Sequence, residues 1–206
     1  MIGDKILIKA VHHKKAKHII PFIIENYFHK KMILTLGGES GTGKTEISYL
    51  LQEILWDNHK IRTKVIHIDD YYTTMWRQRN KIRKMLGIVS VGIQEIDWGK
   101  LKGLVKRFKS RNKYLDIQRI HKYTNTIEKS ITDNKAIDIL IIEGIYACKL
   151  KDTNLNIFLE GSISDTKQFR EQRNKENQTS FRLKVLRKEA KEVAKTKKNI
   201  DIVISK

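Results

Sequence analysis

Gly38-Glu39-Ser40-Gly41-Thr42-Gly43-Lys44-Thr45 is the stretch that decides the fold of this chain. It matches G-x-x-x-x-G-K-[ST] at every fixed position, the Walker A pattern of a phosphate-binding loop. Glycines let the backbone wrap closely around phosphate groups, with successive N–H groups pointing inward. Residues 32–36, Met-Ile-Leu-Thr-Leu, read as an apolar strand that enters the loop. From about Lys44 to Trp56, the apolar residues Ile47, Leu50, Leu51, Ile54 and Leu55 fall on one helical face. Strand before and helix after are the context the motif requires, and the helix adds the positive end of its dipole. Residues Gly38, Glu39, Ser40, Gly41, Thr42 and Gly43 are expected to line the phosphates of ATP. Lys44 is expected to reach the β- and γ-phosphates, and the Thr45 hydroxyl to ligate Mg²⁺.

Outward from the loop, short apolar runs recur at 65–68, 137–142, 156–159 and 200–204. β-Branched runs of this length suit buried parallel strands, and the helical patterns between them predict an open α/β sheet covered on both faces. Residues 76–86 and 98–108 read as helices, the second with Asp97 placed to cap it. The loose alternation over 114–131 predicts an extended hairpin. Before the loop, 6–10 reads as a short strand. Residues 16–29 read as an amphipathic helix in which Pro21 is tolerable only in the first turn.

The 206 residues allow one domain with a real core, 1–206, made of a core over 32–206 and an N-terminal extension over 1–31. No run of eighteen apolar residues suggests a membrane span, and a single cysteine, Cys148, permits no internal disulfide. A cytoplasmic protein is the simplest reading, and a homo-oligomer is left open. The net charge of +19 favours phosphate-bearing partners, either a small anionic substrate or nucleic acid. Yet the lysines are scattered along the chain rather than gathered in a basic arm, which suits solvated helix faces.

Ligands of open α/β sheets bind at the carboxyl ends of the strands. Two acidic sites fall there: Asp69-Asp70 after 65–68, and Glu143 after 137–142. Phosphoryl transfer to a hydroxyl needs a carboxylate to take the proton and acidic groups around Mg²⁺. Asp69 suits the first role and Glu143 the second, although a carboxylate after a strand also suits helix capping. Asp70 is even between metal shell and cap. The segment 165–187 carries Arg170, Arg173, Lys175, Arg182 and Arg187 between the last two strands. There Arg170 and Arg173 share a helix face and suit a lid that stabilises the transferred group. The cluster Arg77, Arg79, Arg83 and Lys84 suits an acidic substrate or open water equally.

Four features in order resemble the phosphoribulokinase/uridine kinase family of P-loop kinases: Gly38–Thr45; Ile68-Asp69-Asp70-Tyr71-Tyr72; Ile141-Ile142-Glu143-Gly144-Ile145; and the arginine segment before a terminal Asp201-Ile202-Val203-Ile204 strand. The resemblance covers about 32–206. It implies a five-stranded parallel sheet flanked by helices, ATP and Mg²⁺ as cofactors, Asp69 as base, and Thr45, Asp69 and Glu143 around the metal. It also implies an acceptor near Tyr71 and Tyr72, with His121 and Tyr123 loosely echoing a further substrate segment and Arg77 adjoining the site. Uridine kinases carry an Asp-His-Pro segment before the helix at 98, which this chain lacks, since its only proline is Pro21. The expected activity is therefore transfer of the ATP γ-phosphoryl group to a hydroxyl of a small molecule, with uridine or cytidine as family default. The alternative is a nucleic-acid-binding NTPase or polynucleotide 5′-kinase.

Overall fold

The computed structural model describes residues 1–28, 31–110, 112–173, 176 and 179–205. Five parallel strands form its centre: β1 (Met32–Gly38), β2 (Thr63–His67), β5 (Ile139–Glu143), β6 (Leu155–Leu159) and β7 (Ile202–Ile204). Their order is β2-β5-β1-β6-β7, so β1 is hydrogen-bonded on both sides, with Leu36 opposite Glu143 and Gly38 opposite Leu159. β1 is buried along its whole length, as a near-continuous apolar run requires. The expected runs form strands with ends moved by one or two residues. Ile68 leaves β2 to open a short 3₁₀ turn, Ile68–Tyr71, which carries Asp69 and Asp70.

Alternate side chains of the strands serve two cores. On one face, Leu34, Leu36, Ile141 and Ile157 pack with α1 (Ala10–Asn26) and α2 (Lys44–His59). On the other, Ile33, Leu140, Ile142 and Phe158 pack with α4 (Trp98–Lys109) and with the antiparallel hairpin β3–β4 (Tyr114–His121, Thr126–Asp133). Asp97 caps α4 as expected, accepting from Lys100 N at 3.0 Å. α3 (Trp76–Leu86) follows the acidic turn, and α5 (Lys167–Arg173) and α6 (Ser180–Lys195) follow β6.

The N-terminal expectations need correction. Residues 6–10 form no strand: Ile6 and Ile8 are exposed and α1 already begins at Ala10. Pro21 lies deep inside α1 rather than in its first turn. Pro21 and Lys17, whose carbonyl loses its helical donor, are both exposed, so water can serve the freed oxygen. The predicted helix end at His29 lies outside the described residues; α1 ends at Asn26. Ile19 and Ile23 are fully buried, which makes α1 part of the core. Ile19→Ala and Ile23→Ala are each expected to lower stability by about 2–5 kcal/mol in urea unfolding. Losses under about 1 kcal/mol would mean that α1 lies outside the cooperative unit.

Candidate active site

The loop after β1 is shaped by glycines that have no substitute. Gly41 and Gly43 have φ of +88° and +86°, where other residues are strained. A Cβ on Gly43 would also lie 2.8 Å from the His12 ring, so α1 roofs the start of α2. Lys44 is buried, and its Nζ donates to Glu39 O at 2.7 Å and to Thr42 Oγ1 at 3.3 Å. Burial pulls its ammonium down to about 8, against the opposing pull of Glu143 and Asp69.

Across the loop, the Thr45 hydroxyl donates to Glu143 Oε1 at 3.0 Å. The same carboxylate oxygen lies 2.5 Å from His67 Nδ1. Burial alone would raise the Glu143 carboxyl; the His67 hydrogen bond and the nearby Lys44 ammonium hold it below its ordinary value. His67 was not foreseen from the sequence. It ends β2 opposite Glu143 in register, and that pairing was the signal that could have found it. Asp69 lines the adjoining cleft, and its charge acts on both Lys44 and Glu143. Asp70 has a different fate: its carboxylate accepts from Ile120 N at 2.9 Å and ties the acidic turn to β3. Burial raises its carboxyl, and that hydrogen bond opposes the rise.

The cleft runs from Ser40 and Gly41 past Asp69 to Tyr72, Trp76 and Ile145, with five guanidinium groups from two parts of the chain. Arg79 and Arg83 come from α3, Arg170 and Arg173 from α5, and Arg182 from α6. Arg83 donates to Glu95 at 2.7 and 2.8 Å and to Glu189 at 3.2 Å. Burial alone would lower its guanidinium, and the two carboxylates hold it above its ordinary value. Arg182 meets Glu176 at 2.7 Å and Glu189 at 3.2 Å, while Arg173 lies 3.5 Å from Glu46 in the first turn of α2. Arg170 turns to the phosphate loop, donating to Ile163 O at 2.8 Å and to the Thr166 hydroxyl, with Ser40 O at 3.5 Å. Lys175 of the same segment lies outside the described residues.

Three expected substrate residues lie elsewhere. Tyr71 is 3 % exposed and sits in the core against α4, because the tight 3₁₀ turn drives it inward. Arg77 points to the hairpin, its backbone N–H donating to Asn125 Oδ1 at 3.2 Å and its guanidinium to Tyr123 O. His121 pairs with Glu128 across β3–β4 at 3.0 Å. Tyr72, by contrast, lines the cleft, and Arg79 and Arg83 take the places expected of Arg77. On a helix, Arg79 and Arg83 share a face with Trp76 while Arg77 does not.

A glycine loop at the end of a central parallel strand, with a lysine, a hydroxyl and two carboxylates around it, defines a P-loop nucleotide-binding site. The model of the phosphoribulokinase/uridine kinase family matches residues 33–167, and the chain belongs to that family of P-loop kinases. No curated protein matches its sequence. In fold it is similar to a possible uridine kinase from Bacillus stearothermophilus, with TM-score 0.64, 15% identity, and 93% of this chain and 98% of that one covered. It is also similar to D-glycerate 3-kinase from Cryptococcus neoformans var. grubii, with TM-score 0.64, 11% identity and 96% of each chain covered. Phosphoribulokinase from Rhodobacter spheroides gives TM-score 0.62 at 12% identity, covering 86% of this chain and 70% of that one.

The buried charge network gives a direct test. Arg83→Met leaves Glu95 and Glu189 buried with a guanidinium removed, and is expected to cost about 3–5 kcal/mol in chemical denaturation. Arg77→Met, at an exposed site, is expected to change stability by less than about 1 kcal/mol.

Proposed function

We propose that the chain is one kinase domain that transfers the γ-phosphoryl group of ATP to a hydroxyl of a small-molecule acceptor in the cytoplasm. The observation that carries this reading is the Thr45–Glu143 hydrogen bond beside the buried Lys44, with the Asp69 carboxylate lining the same cleft. Uridine and cytidine, the family default, are the first acceptors to test. Residues 1–31 are an extension whose helix α1 braces the phosphate loop.

The residues fit a nucleotide–magnesium complex. Positive-φ glycines leave the cradle free of side chains, and Thr45 with Glu143 offers oxygen donors of the kind Mg²⁺ takes. Mg²⁺ keeps several waters and takes phosphate oxygens beside one or two protein ligands, which leaves room for a site of this size. Thr45 and Glu143 would hold the ion, with Asp69 at its edge, and the bound ion would draw charge from the β- and γ-phosphate oxygens.

Asp69 accepts the proton of the acceptor hydroxyl as that oxygen bonds to the γ-phosphorus. The bond from γ-phosphorus to the bridging oxygen breaks, and ADP leaves with the electron pair. Lys44 exchanges its hydrogen bonds to Glu39 O and Thr42 Oγ1 for phosphate oxygens. Arg170 and Arg173 lie on a lid segment beside the loop, where their charge offsets what develops on the transferred group. His67 keeps the Glu143 carboxylate charged and oriented.

Asp69→Asn is expected to lower kcat about 10²- to 10⁴-fold while leaving the Kd for Mg–ATP within about threefold. Acceptor-dependent ADP release from a panel of nucleosides, sugars and hydroxy acids is the measurement. Unchanged turnover in Asp69→Asn would overturn the assignment of the base. A polynucleotide acceptor is the second reading, favoured by the +19 charge. It predicts phosphorylation of 5′-hydroxyl oligonucleotides with affinity falling steeply as salt rises.

A further inference from the structure

Arg79 stands apart from the other cleft arginines. It is 5 % exposed, and both its Nε and Nη2 are buried without a hydrogen-bond partner, where Arg170, Arg173 and Arg182 leave only Nε so. Arg83, Arg173 and Arg182 face carboxylates, and Arg170 is spent on carbonyl and hydroxyl oxygens beside the phosphate loop. Arg79 has neither kind of partner among the described residues. Its guanidinium carbon lies 3.4 Å from the centre of the Tyr72 ring and 5.4 Å from that of Trp76. The aromatic contact covers the face of the cation and helps hold its orientation, but satisfies none of its N–H groups. A buried charge of this kind is costly unless something pairs with it.

Placement adds to this. Arg79 and Asp69 line one cleft with Tyr72, and both charges act on the Tyr72 phenol. Ser40 and Gly41 of the phosphate loop and Arg170 of α5 line the same cleft, whereas Arg79 comes from α3, the helix that follows the acidic turn. A small molecule held in this cleft with its hydroxyl at Asp69 has the Arg79 guanidinium among the lining groups open to its other polar end. Planar, bidentate donors with a fixed orientation are matched by a carboxylate or a phosphate.

We propose that the acceptor is a small anionic molecule, and that Arg79 receives its carboxylate or phosphate group while Asp69 addresses its hydroxyl. This rests on the kinase reading above for the role of Asp69, and on the unpaired guanidinium for the class of acceptor.

Matched sets test it: glycerol, glycerate and glycerol 3-phosphate; ribose and ribose 5-phosphate; uridine and uridine 5′-monophosphate. Each is assayed for phosphorylation with Mg–ATP and for binding with Mg–ADP present, in the full chain and in Arg79→Gln and Arg79→Lys, with thermal melting as a check of folding. The expected result is preference for an anionic member, whether carboxylate or phosphate. In Arg79→Gln its KM or Kd rises roughly ten- to hundredfold while the KM for ATP stays within about twofold. Arg79→Lys recovers part of the loss, since it keeps the charge without the planar fork, and it serves alone if Arg79→Gln does not fold.

A neutral member turned over as well as its anionic counterpart overturns the proposal and leaves the kinase reading standing. Arg79-dependent binding of an anion without phosphoryl transfer keeps the anion site and defeats the kinase reading. A rise in the KM for ATP alone assigns Arg79 to the donor phosphates and overturns the proposal. So does a loss of thermal stability with acceptor preference unchanged, and so does the absence of Arg79-dependent binding by any anionic member.

Discussion

The pairing of β1 with β5 and β6 is the constraint on which the site depends. Leu36 opposite Glu143 and Gly38 opposite Leu159 fix where three strands end. Because the strands are parallel, their carboxyl ends meet on one edge of the sheet. The phosphate loop, Glu143 and the segment leading to α5 and α6 must therefore share that edge. β2 adds the acidic turn by pairing on the other side of β5, with His67 in register with Glu143. The Thr45–Glu143 and His67–Glu143 contacts follow from strand register more than from any local preference.

Charge burial is the second organising cost. The cleft gathers five guanidinium groups, which a low-dielectric site tolerates only with counter-charges. Glu46, Glu95, Glu176 and Glu189 supply them to Arg83, Arg173 and Arg182, and leave Arg79 and Arg170 without a carboxylate among the described residues. Glu189 is shared by Arg83 and Arg182, so α3 and α6 are joined through one carboxylate. The network positions both walls of the cleft at once.

Much of this was legible from the sequence, for identifiable reasons. The phosphate loop is a local motif whose flanking elements confirm it, and the apolar runs of the strands carry their own periodicity. The position of Asp69 and Glu143 beside the phosphate loop could be read because parallel strands bring their carboxyl ends to one edge of the sheet. That Tyr71, Arg77 and His121 point away from the cleft is not legible in the sequence, because the direction of a side chain within a turn or hairpin depends on tertiary packing. The 3₁₀ turn sends Tyr71 inward and leaves Tyr72 in the cleft. The pairing of Arg83 with Glu189 is invisible to a local reading, as is the isolation of Arg79, since both depend on contacts across the fold. The strand expected at 6–10 failed because its isoleucines find no neighbouring strand to pair with among the described residues.

The position of β1 at the middle of the sheet also bears on how the chain reaches this state. β1 leaves the ribosome about a hundred residues before its two neighbours, β5 and β6. Until they arrive, the apolar residues of β1 have no sheet to enter, and α1 and α2 have only each other to pack against. Contacts such as Leu34 with Ile141 and Leu155 close long loops before they return any stabilisation. The phosphate loop is thus synthesised before the strands that hold it and acquires its shape only after them. Nascent chains halted before β6 would carry the complete motif and no working cradle.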